Sequence, residues 1–207
     1  MRKLVFSLVG LCCCTLALSA DQARFAGKVV VELLDDIEFD HKLKLVEDFS
    51  FQDASGKVWV AHKGGILDGT SVPRELRDLT GLPFPVEYRK ASVLHDYYCR
   101  VKTEPWRGVH RMLYNASLVE GLGESEAKTL YLAAYAGGWR WEIPGTSCYG
   151  SCHIAAASLA WKPAVTESVI QPLVEWIKHT NPTLDEIDMR VDAVTKRPGP
   201  HLFAQMP

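Results

Sequence analysis

The sequence has no cluster of basic residues and no hydrophobic run beyond residue 18 that could span a bilayer. It also has no internal repeat, no low-complexity tract, and only three cysteines after position 14. Lys and Arg number 23 against 25 Asp and Glu, so the chain carries no electrostatic footprint for nucleic acid. No second apolar run is long enough for a membrane-spanning helix. No His-Glu-x-x-His pair occurs, and no Gly-x-Ser-x-Gly surrounds a candidate serine, so neither a zincin helix nor a nucleophile elbow can be read directly.

What is present begins with a leader. Arg2 and Lys3 precede an apolar run from Leu4 to Leu18, and Ala17-Leu18-Ser19 supplies a small-x-small cleavage site. Residues 1–20 therefore read as a secretory signal, and the protein as exported, periplasmic or secreted. Cys12, Cys13 and Cys14 raise a lipoprotein alternative, but Leu or Cys precedes each where a small residue is expected. Cleavage after Ala20 removes Arg2 and Lys3 and no acid, leaving 187 residues with 21 basic and 25 acidic side chains, a balance of −4. That length suffices for one domain with a sizeable core and an extension. The remaining thiols are Cys99, Cys148 and Cys152. The last two could close a short disulfide loop in an oxidising compartment, and Cys99 reads as a small buried hydrophobe.

From Phe25 to His62 the pattern is β. Lys28–Leu34 is rich in valine, whereas Lys42–Val46 and Lys57–Ala61 alternate polar and apolar residues. Asp53-Ala54-Ser55-Gly56, between Phe51 and Val58, predicts a hairpin turn. Gly64-Gly65 ends the last strand, and Ile66-Leu67 leads into Asp68-Gly69-Thr70-Ser71-Val72-Pro73-Arg74. There Asp68 suits a tight turn and Ser71 a helix cap. Helices are expected over Tyr88–Cys99, Trp106–Leu118 and Glu124–Ala136. Their apolar stripes hold Ala91, Leu94, His95 and Tyr98, then Trp106, His110, Leu113 and Ser117, then Ala127, Leu130, Tyr131 and Ala134. Trp139-Arg140-Trp141 reads as a corner. Further helices are expected over Ser151–Trp161 and Val165–His179, the latter kinked at Pro172, and after a Thr183/Glu186 capping box. The fold class is α+β: an antiparallel sheet against a helical bundle over residues 21–141, with a helical extension over 142–207.

Three constellations can carry chemistry. Asp68, His95 and His110 would supply a carboxylate and two imidazoles for zinc or a similar divalent ion. Asp96 would orient a ring or serve as base, and Ser71 would hold Asp68 or a substrate group. Alternatively, Asp68 caps its turn while both histidines are satisfied core residues. His95 and Cys99 lie four residues apart and could pair as imidazole and thiol, but Cys99 falls near a helix C-terminus, where the field opposes a thiolate. The His95-Asp96 doublet resembles that of helical phosphohydrolases, but the partner histidine those need has only His62, at a strand end, to supply it. Trp139, Trp141 and Tyr149 offer a sugar-stacking platform or, alternatively, ordinary core or corner packing. His153 beside Cys152 is too thin a signal for a ligand.

Asp68-Gly69-Thr70-Ser71-Val72-Pro73-Arg74, then Ala91-x-x-Leu94-His95-Asp96-Tyr97, then Arg107-x-x-His110, resemble the bacterial and phage domain-of-unknown-function family thirteen fifty-three. The resemblance spans about residues 25–141. It implies a compact α+β domain, with the motif positions falling on the polar residues singled out above; the family pattern has aspartate where this chain has His110. Recurrence of the family near phage genes implies cell-wall attack or virion assembly. Two functions follow as expectations: a metal-assisted hydrolase of the bacterial envelope, acting on an amide or peptide bond of peptidoglycan, or a non-catalytic envelope or phage-derived interaction module.

Overall fold

The computed structural model of the chain describes residues 22–34, 42–67, 89–143, 160–163 and 165–195. Over these the protein is an α+β fold, with antiparallel strands first and five helices after them. Strands β1 (Arg24–Ala26), β4 (Phe49–Gln52) and β5 (Val58–Ala61) form one sheet in the order β1-β4-β5. Strands β2 (Val31–Leu34), β3 (Lys42–Leu45) and β6 (Ile66–Leu67) form a second, in the order β2-β3-β6.

The expected hairpin is β4–β5, with Phe51 opposite Trp59 and Phe49 opposite Ala61. Those four side chains face the core, while their neighbours alternate outward. Asp53 closes the turn: its Oδ1 accepts from the backbone N–H of Ser55 (2.9 Å) and of Lys57 (3.1 Å). Its Oδ2 accepts from the Trp59 indole at 3.1 Å, which ties the turn to the core residue beneath it. Gly56 completes the turn at φ +85°, a conformation most side chains resist.

Helix α1 (Arg89–Val101) lies against both sheets. Tyr98 accepts the Val60 backbone N–H at 2.9 Å, satisfying an amide on the outer strand β5. At Gly65 an added Cβ would fall 2.7 Å from the Tyr97 ring, so the backbone leading into β6 can come this near to α1 only because it carries no side chain there. The N-terminus of α1 is closed from a distance. The Glu120 carboxylate accepts the N–H groups of Lys90 (3.0 Å) and Ala91 (3.1 Å), answering two orphan donors and the positive helix end.

Helix α2 (Trp106–Glu120) runs next and stops at Gly121, whose φ of 109° lets the chain fold back onto the carbonyls of Ser117 and Leu118. Helix α3 (Glu124–Gly137) is the central one. Every residue from Ala127 to Gly137 is buried, the pattern of a helix covered on all sides. One of its flanks meets α2. Helices α4 (Glu167–Thr180) and α5 (Leu184–Val194) cover the rest.

The two C-terminal helices thus contribute Ile170, Leu173, Val174, Ile177, Ile187 and Val191 to the same hydrophobic core as the sheets. Pro172 lies inside α4, and α5 opens on the expected capping box. The Glu186 N–H donates to Thr183 Oγ1 at 3.3 Å, and the Glu186 carboxylate accepts the Thr183 N–H at 2.7 Å.

Three expectations need correction. Ile66-Leu67 is not merely a lead-in but strand β6, pairing with Leu43 and Lys44. Trp139-Arg140-Trp141 is not simply a corner, because Arg140–Trp141 form strand β7. Its partner is β8 (Ala160–Trp161), so the helix expected over Ser151–Trp161 does not reach its anticipated end. Two-residue strands carry too little alternation to be seen in a sequence. Strand β7 is also anchored from elsewhere, the Trp141 indole donating to the Glu104 carbonyl at 2.9 Å. Asp68, Ser71, Cys148, Tyr149, Cys152, His153 and the leader lie outside the described residues. Among the described residues no helix is long and apolar enough to cross a membrane.

Candidate metal centre

His95 occupies the apolar stripe of α1 and His110 that of α2, as their spacing predicts. Because α1 and α2 pack side by side, the two stripes meet. His95 Nε2 and His110 Nδ1 lie 2.8 Å apart with ring centroids at 5.0 Å. One turn beyond His95, on the same face, Cys99 brings its Sγ to 3.7 Å from His95 Nε2. These donor atoms of His95, Cys99 and His110 all lie within 4.8 Å of one another.

The pocket of rings around His110 is specific. Trp106 meets it edge-on with centroids at 5.6 Å, and Trp141 does so at 6.5 Å. Gly138 closes the remaining side. A Cβ there would fall 3.1 Å from His110 Cε1 and 2.3 Å from the Ala134 carbonyl oxygen, so the α3 terminus can pass the imidazole only as glycine. His110 is fully buried, and among the described residues its Nε2 has no hydrogen-bond partner.

Burial controls the charge of both rings. Desolvation holds His95 down to about 3. His110 is likewise held well below the ordinary imidazole range, first by desolvation and then by His95, with a smaller push from Arg140; the Trp139 backbone works the other way. Both imidazoles are therefore neutral at physiological pH, with lone pairs available. A neutral nitrogen pair beside a thiol is a soft donor set, and this buried His-Cys-His group could hold a metal ion.

Of the residues singled out from the sequence, the structure brings His95 and His110 together. Asp96 is adjacent in sequence to His95, buried, and already engaged by other groups. The third donor among the described residues is Cys99, whose place in the sequence suits a small core residue or a thiol paired with His95. The signal was its i, i+4 spacing from His95, weighed for nucleophilic chemistry and not for ligation. Trp141 is core packing and not an open platform. Trp139 is partly buried, with the ammonium groups of Lys162 and Lys102 over its ring at 4.8 and 5.7 Å.

Residues 43–134 match the model of the family described as "Protein of unknown function (DUF1353)". This is the family whose motifs the sequence resembles. The matched stretch holds His95, Cys99 and His110. The chain is also 38% identical over 118 residues to "Uncharacterized protein y4iH" of Sinorhizobium fredii (strain NBRC 101917 / NGR234), covering 56% of this chain and 49% of that protein. It is 36% identical over 100 residues to "Uncharacterized protein y4jT" of the same strain, covering 48% of this chain and 30% of that one. The chain thus spans about half the length of the first relative and under a third of the second. No solved structure matches it. The DUF1353 match extends from β3 to within α3 and so includes both histidine-bearing helices, while α4 and α5 lie beyond it.

Proposed function

We propose that the protein is an exported metal-assisted hydrolase of the bacterial envelope, acting on an amide or peptide bond of peptidoglycan. The observation that supports this reading is the convergence of two neutral, buried imidazoles, His95 Nε2 and His110 Nδ1, from separate helices. A divalent ion held there would lower the pKa of a bound water into a useful range. His95 and His110 are its ligands in this reading, with Asp68 as the carboxylate donor. Asp96 orients an imidazole or takes the proton of the water, and Ser71 holds Asp68 or a substrate group. Zinc is the ion proposed, because imidazoles suit it and it leaves one position open in catalytic sites. The leader read from residues 1–20 puts the substrate outside the cytoplasm.

The test is direct. The full chain, loaded with one equivalent of zinc, is incubated with purified sacculi, and the released fragments are read by mass spectrometry. Release of peptide or amide-cleavage products is expected, with activity falling at least about 100-fold in His95→Ala and His110→Ala. Zinc-loaded protein that releases nothing above a metal-free control sinks the hydrolase.

The burial of both rings favours a second reading. Closed coordination is typical of structural metal sites, whereas hydrolytic sites admit water. A non-catalytic envelope or phage-derived interaction module, with the cluster tying α1 to α2, is the alternative. It is favoured if the protein holds its ion, cleaves nothing, and keeps its biological effect.

A further inference from the structure

We propose that Cys99 is the third ligand of the centre, bound as a thiolate, so that the site is an imidazole–imidazole–thiolate centre selective for zinc-like ions over magnesium, calcium and manganese. This deepens the metal reading above, with Cys99 taking the third position given there to Asp68, and does not depend on whether the ion hydrolyses anything.

The geometry supports it. Tetrahedral zinc with Zn–N of about 2.0 Å and Zn–S of about 2.3 Å separates nitrogen donors by about 3.3 Å, and nitrogen from sulfur by about 3.5 Å. The observed separations are 2.8 Å for His95 Nε2 to His110 Nδ1 and 3.7 Å for Cys99 Sγ to His95 Nε2. The imidazoles need part by only about half an ångström, and the sulfur already lies at ligating range of His95 Nε2, with all three donors within 4.8 Å of one another. His95 and Cys99 sit one turn apart on α1, so a single rigid helix presents both.

The proton inventory closes as well. In the metal-free pair the short N···N contact requires one ring to carry a proton on its facing nitrogen. Ligation through His95 Nε2 and His110 Nδ1 requires each ring's proton on its far nitrogen, so only the ring that donates in the metal-free pair changes tautomer. On His110 that atom is Nε2, which has no hydrogen-bond partner of normal geometry among the described residues, with the Trp139 backbone beside the ring. Cys99 gives up its thiol proton to solvent. Its place near the carbonyl end of α1 works against a free thiolate, so the ion's own positive charge must hold the sulfur ionised. A hard cation, which prefers oxygen donors, gains little from such a set.

X-ray absorption on the zinc-loaded full chain should show one sulfur at about 2.3 Å among the nearest scatterers. A shell of nitrogen and oxygen alone overturns the proposal. To identify the sulfur, the full chain carrying Cys12→Ser, Cys13→Ser, Cys14→Ser, Cys148→Ser and Cys152→Ser is titrated with cobalt(II). It should take up one equivalent with an intense near-ultraviolet sulfur-to-cobalt band, displaced by zinc but not by a large excess of magnesium. Loss of that band with the other cysteines, or its persistence in Cys99→Ser, overturns the assignment to Cys99. If these five substitutions or Cys99→Ser unfold the chain, the absorption measurement on unaltered protein decides. Zinc affinity in folded Cys99→Ser should fall by more than about 100-fold. Sulfur ligation without sacculus cleavage leaves this proposal standing and removes the hydrolase; cleavage by a centre without sulfur does the reverse.

Discussion

Metal-free protein should lose stability steeply as the pH falls from 6.5 to 4.5, and the loss should come from His95 and His110. Each ring is held neutral in the fold by burial, with His95 at about 3 and His110 also far below its ordinary value. In the unfolded chain both regain a value near 6.5. Below that pH the unfolded state binds protons that the folded state refuses, so unfolding becomes easier as acid is added. Each ring contributes about 1.4 kcal/mol per pH unit in this window, or roughly 3 kcal/mol per ring at pH 4.5. For a domain of ordinary stability, two such rings are enough to bring it close to its midpoint.

The groups facing the pair do not reverse the sign. Cys99 and Trp106 bring no positive charge to stabilise an imidazole anion or negative charge to stabilise a cation, and Arg140 disfavours a second cation. Urea denaturation at pH 7.5, 6.5, 5.5 and 4.5, with chelator present, measures the slope. His95→Gln/His110→Gln should be less stable at pH 7.5 but much flatter with pH. An unchanged slope in that variant, or a flat profile in the parent, shows that the rings are not held neutral by the fold. Zinc should steepen the parent's profile further, since a thiolate and two neutral imidazoles must all be deprotonated to bind it.

The features that were legible in the sequence share a physical cause. Periodicity put His95 beside Ala91, Leu94 and Tyr98, and His110 beside Trp106, Leu113 and Ser117, and all eight are buried. An amphipathic stripe has one place to go, so a polar group on it must go there too. The Asp53–Gly56 turn was equally readable, because its residues make local hydrogen bonds that need no tertiary help. Features that depend on distant partners were not readable. Strands β6, β7 and β8 have two residues each and owe their form to what lies beside them. Cys99 looks like any small core residue until α2 brings His110 against α1. The acidic positions of α5 look like a solvated helix face, yet Asp188 and Asp192 are the partners of groups on α2, α3 and β7.

That seam carries the other large expected effect. Asp188→Ala should destabilise the protein by about 2–4 kcal/mol, although the residue lies 77 positions from the Arg111 it serves. Tyr131 is fully buried and its hydroxyl donates to Asp188 Oδ1, while Arg111 donates to Oδ2 at 2.7 Å. Burial and then the Asp188 carboxylate push the Tyr131 hydroxyl far above its ordinary value, which keeps it a donor at any working pH. Arg111 keeps a second partner in Asp185 and is part exposed, so its loss is the smaller one. Most of the cost is the Tyr131 hydroxyl left buried without an acceptor.

That division is measurable. Tyr131→Phe removes the orphaned donor, so Tyr131→Phe/Asp188→Ala should be less destabilised than the two single changes added together, by at least about 1 kcal/mol. Additivity within about 0.5 kcal/mol would mean that Asp188 acts only through Arg111. The seam also reaches the metal centre. Tyr131 packs tilted against Tyr135 with ring centroids at 5.6 Å, Tyr135 against Trp106 at 5.0 Å, and Trp106 walls His110 at 5.6 Å. On the other flank, Asp192 accepts from Arg107 and from Tyr135, whose hydroxyl is itself pushed up to about 12, chiefly by burial. Helix α5 lies outside the DUF1353 match, yet it fixes the rings that hold His110 in place. Asp188→Ala should therefore weaken metal binding as well as the fold, whereas changing exposed Glu175 on α4, whose partners are also exposed on that helix, should leave both unmoved.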